Sequence, residues 1–214
     1  MTVSYTAHTD GRVNLHVEYP GEQGDLPTIP AFGIEWTLPV QYTNLRFFGT
    51  GPAETYLDRK HAKLGVWSTN AFADHAPYLM PQETGNHEDV RWAEITDDHG
   101  HGMRVSRADG AAPFAVSLLP YSSFMLEEAQ HQDELPKPKH MFLRVLAAQM
   151  GVGGDDSWMS PVHPQYHIPA DKRSASMSTS TDLIRIDPIV HRANDVAPDF
   201  LAGSRGPHRL HGPC

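Results

Sequence analysis

Residues 12–19 alternate without a break, with Val13, Leu15, Val17 and Tyr19 on one side and Arg12, Asn14, His16 and Glu18 on the other. Strand side chains point to opposite faces with a period of two, so this stretch is a strand with one face in a core and one in water. Asp10-Gly11 before it reads as a tight turn, and Pro20-Gly21 ends it. The same grammar recurs downstream. Strands are expected over 32–38 and 42–48, split by Pro39, and over 90–96 and 102–107, joined as a hairpin around Asp97-Asp98-His99-Gly100. Further short strands fit 114–118 and 140–147, and closing strands fit 165–168 and 182–187, with a polar stretch at 173–181 between them. The one helix expected is 123–134, with Ser123 as its cap and Glu127 and Glu128 in its first turn. Short strands separated by turn signals, in a chain with 18 prolines, point to an all-β sandwich and exclude a helical bundle.

At 214 residues the chain is long enough for one domain with a real core. Seventeen basic against 26 acidic residues give a net charge of −9, which argues against a nucleic-acid partner. There is no apolar run long enough for a membrane helix and no signal-peptide pattern at Met1-Thr2-Val3-Ser4. The single cysteine, Cys214, has no internal partner for a disulfide, and a cytoplasmic protein is the expectation. The 14 histidines are scattered, with no H-E-x-x-H or C-x-x-C spacing, so neither a metal site nor a cofactor is expected.

Two blocks stand apart from this ordinary composition. One is Gln149-Met150-Gly151-Val152-Gly153-Gly154-Asp155-Asp156-Ser157-Trp158, where paired glycines and paired aspartates lead into a tryptophan. Gly153 and Gly154 permit backbone paths that a Cβ would resist, and Asp155 and Asp156 can bond turn amides. The other is Phe48-Gly49-Thr50-Gly51-Pro52-Ala53-Glu54-Thr55-Tyr56-Leu57-Asp58-Arg59-Lys60. Together they resemble the C-terminal domain, or separate small subunit, of family 2 β-galactosidases. Collinear matches at Tyr78-Leu79-Met80-Pro81-Gln82-Glu83-Thr84-Gly85-Asn86, Val90-Arg91-Trp92, Tyr121-Ser122 and Val162-His163-Pro164-Gln165-Tyr166 extend the resemblance over residues 12–187.

The resemblance implies a mutarotase-like supersandwich over residues 1–187, incomplete at its N-terminal side, and nothing in the family covers 188–214. That last stretch is expected to be a disordered tail. It also implies that both catalytic glutamates lie on a central barrel domain not contained here, so no catalytic residue is assigned to this chain. Trp158, the tryptophan of the signature, is the expected substrate-binding residue, an aglycone platform whose flat face suits the C–H face of a sugar. Gly153, Gly154, Asp155 and Asp156 are its loop supports. Glu54, Tyr56, Asp58 and Arg59 read as a buried polar network, with Arg59 the ion-pair partner, because a dense set of charges must be paired where it is buried. Trp36, Trp67 and Trp92 are left to core or edge packing.

The reading that follows is a small subunit or C-terminal part of a β-galactosidase acting on terminal β-D-galactosides. Its partner is a large catalytic subunit or preceding domains, and homo-oligomers are possible. A sandwich short of strands should expose an apolar patch along one edge. A stand-alone sugar-binding module, a poorly folding fragment and an aldose epimerase stand beside it. The epimerase needs a converging histidine and carboxylate, and no histidine has an evident carboxylate partner in the sequence.

Overall fold

The computed structural model describes residues 1–21, 27–156, 160–171 and 177–185. The strands form two antiparallel sheets. The wider holds β1 (Thr2–Ala7), β2 (Val13–Glu18), β11 (Met177–Arg185), β8 (His101–Arg107), β7 (Trp92–Thr96), β4 (Asn44–Gly51) and β5 (Lys63–Asn70), in that spatial order. The narrower holds β3 (Ala31–Pro39), β10 (His140–Gln149), β9 (Phe114–Leu119) and β6 (His87–Val90). The all-β class expected from the sequence is the class observed.

The alternation of each strand explains the core. Leu15, Val17, Leu45, Phe47, Ala93, Ile95 and Val105 come from the wider sheet, and Leu38, Val90, Phe114, Val116, Leu118, Met141, Leu143 and Val145 from the narrower; all are buried in one cluster. Each large apolar side chain so removed from water contributes about 1.5–3 kcal/mol against the entropy of ordering the chain. Residues of the opposite phase point outward. On the outer face of the wider sheet, Glu94 lies between Arg46 and Arg104, at 2.8 and 3.3 Å. Both guanidinium groups sit near the Trp92 ring, 5.2 and 4.7 Å from its centroid. Trp92 is therefore an outer-face residue, whereas Trp36 and Trp67 pack against the core.

Several local expectations need correction. The run 90–96 is divided: β6 ends at Val90 in the narrower sheet and β7 begins at Trp92 in the wider, so the chain changes sheets at Arg91. The helix is shorter than expected. α2 spans Ser123–Glu128, its cap is Ser122, whose hydroxyl accepts the Met125 N–H at 3.2 Å, and a separate 3-10 turn covers Gln132–Glu134. Residues 165–168 form no strand; Pro164–Tyr166 is a 3-10 turn and Ile168 makes one bridge to Ile29. Part of the polar stretch at 173–181 is strand, since β11 starts at Met177. Strands β1 and β5 and the short helix α1 (Ala71–Asp74) were not foreseen. The stretch 188–214 lies outside the described residues.

Candidate functional site

The segment after β4 leaves the wider sheet and folds over the outer face of the narrower one. Its centre is Glu54, whose two carboxylate oxygens take four donors. Oε1 accepts Arg59 Nη1 at 2.7 Å and the Tyr78 hydroxyl at 2.5 Å; Oε2 accepts the Thr84 hydroxyl at 3.0 Å and the Gly85 N–H at 2.9 Å. Tyr56 is fully buried, and its hydroxyl lies 3.5 Å from Glu83 Oε1. Burial first, then the charges of Glu83 and Glu54, push its phenol well above the ordinary range, so it stays neutral. Burial and the bond to Glu54 likewise raise Tyr78.

Asp58 departs from the expected ion-pair set. It has turned away from Arg59, and its Oδ2 accepts the Gly153 N–H at 2.7 Å, joining the two sequence blocks across 95 residues. Its Oδ1 is buried with no hydrogen-bond partner among the described residues. A Cβ on Gly151 would stand 2.7 Å from that same Asp58 Oδ2 and 2.9 Å from Tyr166 Cβ. A Cβ on Gly154 would stand 2.0 Å from the Ser160 carbonyl oxygen. The glycine requirement is thus close approach at 151 and 154, not left-handed backbone. At Gly153 a Cβ would meet only ordinary contact distance, 3.4 Å from Asp58 Oδ2.

Beyond Gly154, Asp155 Oδ1 bonds His163 Nε2 at 2.8 Å, both side chains being exposed. Asp156 is exposed as well. Trp158, the expected substrate platform, lies outside the described residues, as do Ser157 and Met159. What is described is the pair of anchors on either side of them, at Gly151–Asp155 and at Ser160–His163.

A second polar cluster was missed. Arg144 of β10 is buried and donates from Nη1 and Nη2 to the two oxygens of Glu83 at 2.6 and 2.7 Å, from Nη1 to the Ser123 hydroxyl at 2.9 Å, and from Nε to the Ser117 hydroxyl at 2.9 Å. The pair reinforces the Arg144 cation, which holds its proton above the usual guanidinium range despite burial. Glu35 faces Arg144 across the β3–β10 register; burial raises its carboxyl, and the Arg144 charge opposes the shift. The sequence signal was available: one arginine inside the apolar run Met141-Phe142-Leu143-Arg144-Val145-Leu146 requires a buried partner. An open pocket of about 340 Å³ above this pair is lined by Met80, Pro81, Gln82, Glu83, Ser123 and Glu127.

Histidine–carboxylate pairs that the sequence did not reveal also exist. His87 Nε2 lies 2.8 Å from Asp74, but its ring is fully buried against Phe47, with no room for a sugar. The His163–Asp155 pair is on the surface. Acid–base work needs a carboxyl with a free lone pair within reach of substrate. Glu54 has all four lone pairs taken by fixed donors and Glu83 is held in a two-pronged ion pair with Arg144, so each acts as a clamp. No group of three or more metal-ligating side chains occurs among the described residues. No helix among them is long and apolar enough to cross a membrane.

The family described as β-galactosidase small chain matches residues 1–180. The chain belongs to this family. It is 78% identical over 173 residues to β-galactosidase BgaC of Bifidobacterium adolescentis, a match covering 80% of this chain and 16% of that protein. Over 165 residues it is 41% identical to a β-galactosidase of Streptococcus thermophilus, covering 77% of this chain and 16% of the relative. A β-galactosidase small subunit of Latilactobacillus sakei is 36% identical over 178 residues, covering 78% of this chain and 55% of the relative. The small-chain match thus spans about a sixth of the long relatives and little more than half of the separate small subunit.

Proposed function

We propose that this chain provides the small-subunit part of a β-galactosidase hydrolysing terminal β-D-galactosides. It completes the aglycone side of the pocket, while the acid/base and nucleophilic glutamates come from a large catalytic partner. The observation that carries this reading is the 78% identity over 173 residues to a β-galactosidase many times longer than the match. The clamped state of Glu54 and Glu83 supports it, since retaining hydrolysis needs two available carboxyl groups about 5–5.5 Å apart.

In this reading Trp158 stacks on the aglycone, and the job of Asp58, Gly151, Gly154 and the Asp155–His163 pair is to fix the chain on either side of it. Binding energy from a positioned platform is useful only if the ring is already in place when substrate arrives. The test is a chimera in which residues 1–185 replace the corresponding segment of the Bifidobacterium adolescentis protein. The chimera should hydrolyse a chromogenic β-galactoside and the purified chain alone should not. Turnover by the isolated chain, or a folded chimera without activity, would overturn the proposal.

A further inference from the structure

Arg144 does more than neutralise Glu83. Its Nη1 donates to Glu83 Oε2 at 2.6 Å and to the Ser123 hydroxyl at 2.9 Å, so one nitrogen sets these two groups side by side. Among the described residues Nη1 is the one donor to Glu83 Oε2, which leaves that oxygen a lone pair. The Ser123 oxygen is the acceptor in its bond to Nη1 and keeps its own proton to give. An acceptor and a donor therefore stand together. Both are fixed from below by a guanidinium whose side chain is more than nine-tenths buried and is also tied through Nε to Ser117.

Glu83 and Ser123 line the pocket of about 340 Å³, together with Met80, Pro81, Gln82 and Glu127. Met80 and Pro81 give it an apolar wall. The Gln82 amide nitrogen donates to the Met80 carbonyl at 3.3 Å, and its side-chain oxygen is left as a further acceptor. An apolar wall beside a few fixed polar groups is the lining of a small-molecule site. The polar pair here is of opposite kinds, and it fits two neighbouring hydroxyls: one donates to Glu83 and the next accepts from Ser123. A ring with adjacent hydroxyls on its edge and C–H groups on its face is a sugar. An anion would be repelled by the Glu127 carboxylate and by the open lone pair of Glu83. A purely apolar ligand would leave that lone pair and the Ser123 proton unpaired.

The pocket is also joined to the glycine block. Glu83 Oε1 lies 3.5 Å from the Tyr56 hydroxyl, Tyr56 is two residues from Asp58, and Asp58 holds the Gly153 N–H. Along β10, Arg144 stands five residues, roughly 17 Å, before Gln149, where the block begins. We propose that the pocket is a second sugar subsite, which takes a ring on the aglycone side of the substrate, remote from the bond that is cleaved. Its assignment to the aglycone rests on the galactosidase reading above. The separation is several sugar rings long, so a disaccharide bound at the glycine block falls short of the pocket. The subsite therefore acts on longer β-galactosides.

Two variants test the subsite: Ser123→Ala removes the donor, and Met80→Ser removes part of the apolar wall. Both positions are exposed, so the thermal midpoints should stay near that of the parent. NMR titration of the isolated chain with a β-galactosyl tetrasaccharide should show binding in the millimolar range. Either variant should weaken that binding about five- to tenfold, the effect of losing one good contact. In the active chimera described above, either should lower the ratio of kcat/KM for the tetrasaccharide to that for lactose by a similar factor. No binding by the parent chain, binding that neither variant weakens, or an unchanged ratio would each overturn the subsite while leaving the activity of the chimera, and so the galactosidase reading, intact. A folded chimera without activity would sink the galactosidase reading instead, with the titration of the isolated chain still deciding whether the pocket takes a sugar.

Discussion

Glu88 offers a quantitative test of how the site loop is held. It sits in β6 beside the Glu54 segment: Oε1 accepts from Asn86 Nδ2 at 3.0 Å, its N–H donates to the Thr55 hydroxyl at 2.8 Å, and its carbonyl accepts the Thr50 hydroxyl at 2.8 Å. Burial pushes its carboxyl up from 4.5 to about 7, with the Asn86 bond and the Lys60 charge opposing the shift. The folded protein therefore keeps a proton on Glu88 that the unfolded chain gives up near 4.5. Between those two pH values the folded state binds more protons, so stability falls as pH rises. The difference amounts to about 3 kcal/mol, fully present as stability below about pH 4.5 and lost by about pH 7. Glu88→Gln keeps an acceptor for Asn86 and cannot ionise. Urea unfolding should show the variant equal to the parent near pH 4 and more stable by roughly 2–3 kcal/mol near pH 8.5. A gain of the same size at both pH values, or no gain at either, would refute the account of Glu88 as a buried carboxyl that ionises at a cost.

Three further outcomes are expected. Arg144→Met should destabilise the chain by about 3 kcal/mol in urea unfolding, because it leaves the Glu83 carboxylate without its guanidinium; adding Glu83→Gln should recover part of that loss. Gly154→Ala forces a methyl against the Ser160 carbonyl and should cost about 1–3 kcal/mol, read as a lowered midpoint, whereas Gly153→Ala should cost little. Trp158→Ala in the chimera should weaken aglycone-dependent steps by about 1–3 kcal/mol in kcat/KM with an unchanged midpoint; a core tryptophan would instead show a loss of about 3–5 kcal/mol in stability.

Strands with one phase in the core were legible, and those without that asymmetry were not. Residues 12–19 alternate strictly over eight positions, six of them forming β2, and the apolar phase is the one that carries the buried Leu15 and Val17. β5 has Leu64 and Val66 in the outward phase and Gly65 in the inward one, so its pattern contradicts the usual rule. The glycine is there because Trp67 needs the space. β1 has the right alternation, but too short a run of it to be told from a solvated terminus. The site was legible as motifs, not as contacts. Glu54 and Arg59 lie close enough in sequence for their pairing to be inferred. The bond from Gly153 to Asp58 spans two loops brought together only by the sandwich, and no local pattern encodes it.

The position of β11 bears on the order in which this chain can be assembled. The strand lies between β2 and β8, so the N-terminal hairpin β1–β2 reaches the rest of its sheet only through residues 177–185. Of the sandwich strands the hairpin is made before the others and has no strand to join until nearly all the other described elements have been made. β8–β7–β4–β5 and β3–β10–β9–β6 can pair from residues already available, whereas closure around β11 must bridge more than 150 residues of chain. Contacts of such sequence separation form slowly. The β1–β2 hairpin is therefore among the last parts of the sandwich to be secured, and its apolar Leu15 and Val17 stay accessible to chaperones until that strand arrives.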